Sequence, residues 1–346
     1  DGRMNAAVIC LGSLVVFGLG YRLYARHLSR RVLALSDDEP VPAVTQEDGV
    51  DYVPTNKHVL FGHHYASIAG AAPIIGPAVA VSWGWLPSLL WIVLGVVFMG
   101  AMHDFFTLVI SVRHGGTSVG TISAQVLGPR TRTLFLLVIF ALILIVIAVF
   151  AKAIAGLFIA QPGTVLPINF EIVVALVIGW LCYKRKAKLL IPSIAALIAL
   201  YAMVWVGMYV PVSLEALVGK ENQATAWVVL LLIYSFVASV LPVWTLLQPR
   251  DYINSHQLMV GLAALLAGIF IGHPTMSAPA VAVPPADAPP LFPFLFVTIA
   301  CGAISGFHGL VSSGTTSKQL AKASDAQAVG YGAMLGEGLL ALIATL

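Results

Sequence analysis

Charged side chains are scarce in this sequence. Asp, Glu, Lys and Arg make up 10% of 346 residues, where a soluble domain carries roughly 25%. That excludes an ordinary water-facing globular domain. Cysteine is scarcer still: Cys10, Cys182 and Cys301 are odd in number and each lies in an apolar run. They read as small buried hydrophobes and exclude a disulfide framework. The net charge of +3 is too small to point to a nucleic-acid partner without a basic patch. No HExxH helix and no paired-cysteine spacing occurs, so a diagnostic zinc site is missing. A nucleophile–base spacing is missing too, which counts against a membrane enzyme.

What the chain has in quantity is apolar surface, with 59% hydrophobic residues and a mean hydropathy of +0.95. About 20 apolar residues cross a bilayer as a helix. By that measure ten spans are predicted, near 4–24, 59–81, 88–112, 134–159, 168–183, 189–211, 225–247, 256–273, 292–316 and 329–346. Asp1-Gly2-Arg3 reads as an appended leader before a start at Met4. The first span is not read as a signal peptide, because Tyr21-Arg22-Leu23-Tyr24 follows it and no small-residue cleavage site does. The sequence stops at Leu346 inside an apolar run, and continuation beyond it is expected.

Basic residues orient the spans. With the N-terminus outside, the inner loops hold Arg22, Arg26, Arg30, Arg31 and Lys57, then Arg113, Arg130 and Arg132. They also hold Lys184, Arg185, Lys186, Lys188, Arg250, Lys318 and Lys322. Only Arg3 and Lys220 fall outside, and Lys152 falls within a span as a structural or snorkelling cation. The stretch from Arg26 to Lys57 mixes Pro, Asp and Glu and reads as a cytoplasmic linker with a surface helix.

Three spans are interrupted. The second carries Gly70, Pro73, Gly76 and Pro77; the seventh places Pro242 after Ser235 and Ser239. The ninth has Gly302, Gly306, Gly309 and Gly314 beside Ser305, His308, Ser312 and Thr316, whose spacing puts them on one helix face. Irregular backbone at membrane depth survives only where protein or a watery cavity satisfies it, and such breaks mark the binding sites of transporters. The alternative is that small residues only let helices approach and proline only kinks them. On the first reading, residues 70 to 76 unwind and face Ser305, His308 and Ser312, with Gly70 supplying torsions that alanine lacks. His63 and Ser67, one turn apart, then point to the site and His64 to a packing partner.

The motifs GHHYASIAGAAPIIGP (62–77), GAMHDF (100–105), QPRDY (248–252), SGFHGLVSSGTTSKQL (305–320) and GYGAMLGEG (330–338) resemble the carbon starvation protein A (CstA) family. That resemblance implies a bacterial inner-membrane secondary transporter of peptides or, as in close relatives, of pyruvate with protons. It also implies an all-α fold with a leucine-transporter-like core of two inverted five-helix repeats. The repeats would occupy 59–211 and 225–346, after an N-terminal helix (1–24) and the linker (25–57). In that register the second, seventh and ninth spans are the first, sixth and eighth core helices and lie against one another.

Asp104 and Glu337 are acids at membrane depth, hence functional by default. Each fits a coupling acid for H⁺; the alternative is a structural pair with Lys152, His103 or His308. His63, His64, His103 and His308 are weak candidate metal ligands, since adjacent histidines on a helix diverge. Carbonyls around Ala69 to Ala72, including those of Gly70 and Ala71, together with Ser312 and Ser313 fit a Na⁺ site as the resemblance implies; helix back-bonding of the hydroxyls is the alternative. Arg250, Asp251 and Lys318 fit an inner gate of ion pairs or plain interfacial anchoring. The expected function is therefore a secondary carrier of a small molecule in the lipid bilayer, without an organic cofactor. A divalent-metal or sodium-coupled carrier, a channel and a membrane enzyme are the alternatives.

Overall fold

In hydrocarbon every backbone N–H and C=O must be satisfied within the protein, which makes helices the natural form for runs this apolar. The computed structural model describes residues 4–185, 190–242, 244–283 and 289–346. Asp1, Gly2, Arg3, Lys186 and Lys188 lie outside the described residues, as do the side chains of Cys182, Lys184 and Arg185. Among the described residues regular structure is helical, and strand-like pairing is confined to two isolated bridges, Asn5 with Thr275 and Thr55 with Leu320.

Nine described helices are long and apolar enough to cross a membrane, ten if a bent pair is one span. In chain order they are α1 (Ala6–Val32), the bent pair α2 (Lys57–Ile68) and α3 (Ala72–Trp83), α4 (Trp85–Arg113), α5 (Pro129–Ala160) and α6 (Pro162–Leu181). Then come α7 (Leu190–Gly207), α8 (Gln223–Val240) and α9 (Leu247–Gly272). The ninth span divides into α10 (Leu291–Ala303) and α11 (Phe307–Gly314), and α12 (Ala323–Thr345) closes the series.

Two boundaries differ from expectation. The first helix passes residue 24 and reaches Val32, its last turns carrying Arg22, Arg26, Arg30 and Arg31. Cations near a helix C-terminus favour its continuation, and their long stems reach back to polar surroundings. The seventh span is not interrupted at its middle. α8 runs unbroken to Val240 and ends at Leu241, which is extended (φ −79, ψ 146), as a residue before proline prefers. Pro242 therefore terminates the helix rather than breaking it.

The chain forms two compact units, residues 1–122 with 257–346, and residues 123–256. In the first, Tyr65, Ile92, Phe105, Leu295, Ile299, Tyr331 and Met334 are all but sealed from solvent and share one core. α3 and α10 meet backbone to backbone. A Cβ on Gly76 would stand 2.7 Å from the Thr298 carbonyl, and one on Gly302 would collide with the Ala72 carbonyl and lie 3.2 Å from Pro73 Cα. The interruptions of the second and ninth spans thus lie side by side.

The linker is folded onto this unit. Arg113 donates through Nε to Glu39 (2.6 Å) and through Nη2 to the Leu33 carbonyl (2.6 Å). Tyr52 donates to the Gly115 carbonyl (3.0 Å), and Val53 and Thr55 donate main-chain bonds to Lys318 and Gln319. Its helix is a single turn, Pro42–Thr45.

The second unit has a smaller core, built around Ala175, Ile178, Ala196, Leu200, Ala238 and Ile253. Phe158 and Trp227 add an edge-to-face contact at 5.0 Å. Most of α5 turns Leu, Ile, Val and Phe side chains outward, as a lipid-facing helix does.

Candidate functional site

α2 resumes as α3 only after Ala69–Ala71, with a bend of 46°. Ala69 leaves helical torsions (φ −81, ψ 66), and Pro73 sits in the first turn of α3, where its missing N–H costs nothing. The break therefore spans Ala69 to Ala71 rather than residues 70 to 76. Gly70 has open space around its Cα and no left-handed φ. Its expected role in backbone torsion is overturned; close approach at Gly76 and Gly302 is what requires glycine. In the ninth span Ile304 leaves the helix (φ −138, ψ 16), and Ser305 Oγ, just before the Gly306 cap of α11, accepts from Phe307 N at 3.1 Å.

Against these breaks lies a sealed polar network. His64 on α2 places Nε2 2.8 Å from Asp104 Oδ2 of α4 and Nδ1 2.8 Å from Thr316 Oγ1. Ser312 of α11 donates to the other Asp104 oxygen, Oδ1. His64, Asp104, Ser312 and Thr316 are fully buried. With Nε2–H given to the carboxylate, Nδ1 accepts from the threonine hydroxyl when the ring is neutral. When the ring is charged, Nδ1 donates to the same oxygen, because a hydroxyl rotates to suit.

A second pair adjoins it. His308 Nε2 of α11 is 3.2 Å from Glu337 Oε2 of α12, with both side chains nearly sealed. The separation suits an ion pair, yet neither Glu337 oxygen has an aligned hydrogen bond among the described residues. The other ring nitrogen of His308 faces Met334 Sδ at 2.7 Å, a weak acceptor. Glu337 lies within electrostatic reach of Asp104 and His64 as well as His308. The first pair is satisfied and the second is incomplete.

The other expected residues fall into place around this centre or away from it. His63 is buried on α2, and Ser67 donates back to the His63 carbonyl at 2.8 Å. His64, expected to meet a packing partner, is instead the polar hub, because one step along α2 turns its ring between α4 and the end of α11. His103 sits at the exposed side of α4, close to Gly309. Ser313 donates to the Gly309 carbonyl at 2.7 Å and accepts from Val119 N, so its hydroxyl is used in back-bonding. The carbonyls of Ala71 and Ala72 turn to Ile74, Ile75 and Gly302.

Ser235 and Ser239 belong to the second unit and lie on an exposed helix face, with Ser239 bonded to the Phe236 carbonyl (2.8 Å). Arg250 pairs with Asp251 in the second unit (2.9 Å), whereas Lys318 pairs with Asp51 in the first (3.3 Å). Lys152 is exposed on α5, and the partners of Asp104 and Glu337 are histidines. Among the described residues no group of three or more His, Cys, Asp or Glu could hold a metal ion.

Sequence reasoning missed Glu171, near the middle of α6. Its signal was present, an ionisable residue inside an apolar span.

Comparison with known proteins agrees with these motifs. The family model described as "Carbon starvation protein CstA" matches residues 5–346. The chain belongs to the CstA family. It is similar to "Peptide transporter CstA" of Escherichia coli K12, 39% identical over 99% of this chain and 50% of that protein. It is equally similar to "Pyruvate/proton symporter BtsT" of the same strain, 38% identical over 99% of this chain and 49% of that protein. "Peptide transporter CstA" of Mycobacterium tuberculosis H37Rv is 40% identical over 99% of this chain and 46% of its own length. The chain thus spans about half the length of the CstA relatives it matches. No solved structure matches.

Proposed function

We propose that this CstA-family chain forms the proton-coupling part of a secondary transporter that imports peptides or small carboxylates such as pyruvate across the inner membrane. The observation that carries the reading is the His64–Asp104–Ser312–Thr316 network between interrupted spans. It holds a histidine–carboxylate pair, sealed from water, in which both ring nitrogens and both carboxylate oxygens have polar partners. A proton taken up there neutralises an acid at membrane depth and changes which helix packing is stable, as alternating access requires. The Glu337 carboxylate, close to an ion pair with His308 but unmatched by hydrogen bonds, is the natural second stop for that proton. The N-terminus lies outside and basic loops inside, following the positive-inside rule. A leucine-transporter-like pair of inverted repeats at 59–211 and 225–346 fits the paired breaks of the second and ninth spans. H⁺ is favoured over Na⁺ because each buried acid, Asp104 and Glu337, stands against a histidine rather than within a ring of oxygen ligands.

Uptake into proteoliposomes tests this, with dipeptides and pyruvate as substrates and the pH and Na⁺ gradients imposed separately. Accumulation driven by ΔpH alone is expected in the wild type. It should be lost in Asp104→Asn and Glu337→Gln, both still inserted in the membrane. Wild-type accumulation in both variants would remove these acids from the coupling path.

A further inference from the structure

The second unit contains a cavity of about 390 Å³ between α5, α6, α8 and the first turns of α9. That size lies within the range of pockets for small organic ligands. Leu157, Phe158, Ile168 and Leu231 make apolar walls, and two charged side chains reach the space, Glu171 and Arg250. Their states differ. Arg250 is matched: Nη2 and Nε lie 2.9 and 3.2 Å from Asp251 Oδ1, and Nη1 donates to the Tyr234 hydroxyl at 2.9 Å. Glu171 shares the lining with Asn254, and its buried Oε1 meets no donor among the described residues. Burying a polar atom without a partner is costly, and more so when it is charged. A ligand bringing an N–H⁺ donor to Oε1 removes that cost, whereas an anion would meet the Glu171 carboxylate.

We propose that this cavity binds a small molecule with an apolar body and a primary ammonium head. The ammonium bonds Glu171 Oε1, and the body lies against Leu157, Phe158, Ile168 and Leu231. The site goes beyond the proton-coupling reading and does not depend on it, since neither His–acid pair lines the cavity. A free amine and the headgroup of an aminophospholipid share this chemistry, and the test separates them.

The test is isothermal titration of the purified protein in phosphatidylcholine nanodiscs with 2-phenylethylamine and its uncharged analogue 2-phenylethanol. The amine is expected to bind at least about tenfold tighter, as a charge-assisted hydrogen bond provides. Glu171→Gln should erase that preference. Leu231→Trp, which fills the cavity and leaves Glu171 in place, should weaken both compounds. Equal binding of amine and alcohol by the wild type overturns the proposal, as does an undiminished preference in Glu171→Gln. The wild-type comparison decides the matter even if a variant does not fold. Repetition with phosphatidylethanolamine in the nanodiscs assigns the source: displaced amine means a lipid headgroup, and unchanged binding means a free amine.

Discussion

α12 in the first unit buries 61% of its most apolar stretch, while α5 in the second buries 6% of its own. Hydropathy runs the other way, at 1.4 for α12 and 3.5 for α5. A helix turned toward lipid must be apolar all round, whereas one enclosed by protein can carry acids, hydroxyls and glycines that its neighbours satisfy. The sealed histidine–acid pairs accordingly sit in the unit whose spans look least membrane-like by composition. The exception sharpens the contrast, since Glu171 is the one described carboxylate in the second unit that lies at mid-span, and it borders a cavity rather than lipid.

The contrast breaks most easily at the network. His64→Ala should leave Asp104 buried with Ser312 as its remaining hydrogen-bonded partner. A loss of about 3–5 kcal/mol is expected, as for any buried pair deprived of one member, read as thermal unfolding in detergent. An unchanged midpoint would mean that water reaches the site. Next come the crossing glycines. Gly302→Ala and Gly76→Ala each press a methyl into a carbonyl and should cost about 1–3 kcal/mol. Gly70→Ala, in open space, should leave the same melting curve unmoved. In the second unit Leu137→Ala, at a side chain 60% exposed on α5, should shift stability by no more than about 0.5 kcal/mol. A larger loss there would show that α5 is covered by protein and not by lipid.

Smaller effects are expected along the linker. Lys318→Met removes the contacts to Asp51 and to the Tyr52 ring and should cost at most about 1 kcal/mol, less in high salt. Asp48 accepts from the amides of Val50, Asp51 and Tyr52, and these bonds hold its carboxyl below the usual range. A depressed carboxylate stabilises the fold above its unfolded value, near pH 4, and that help fades as pH falls through the folded value. Protection of the Tyr52 amide, its exchange rate relative to an unstructured amide at the same pH, should therefore fall in acid, and Asp48→Ala should lower it at neutral pH by a similar factor.

Span number, the break in the second span and the break in the ninth were legible because glycine, proline and hydropathy are local signals. Ser305, His308, Ser312 and Thr316 were expected on one helix face, but only His308 and Ser312 lie within α11, with Ser305 at the break and Thr316 past its end; Ser312 and Thr316 are nonetheless the partners of Asp104 and His64. Which histidine meets Asp104 was not legible. His63 and His64 differ by one step of a helix, and only the position of α4 decides between them. Pro242 misled for a related reason: proline ends a helix as readily as it kinks one, and the choice rests on the packing of the chain beyond it. Glu171 is legible as an acid inside an apolar span, but whether it faces lipid or a cavity depends on the packing of α5, α6, α8 and α9.

The linker has a mechanical consequence. Between Leu33 and Thr55 it is fastened at one end of α4, through Arg113 and Gly115, and again just beyond α11, through Lys318 and Gln319. Those two anchor points bracket the helices that carry Asp104 and Ser312. Any tilt of α11 away from α4 draws on the slack of about twenty residues that are already spent on turns and main-chain bonds. If the proposed alternating access holds, the segment sets a limit on that travel. Small rocking motions carry it along, and larger ones must unfasten it bond by bond, beginning with the solvent-facing pair of Lys318 and Asp51.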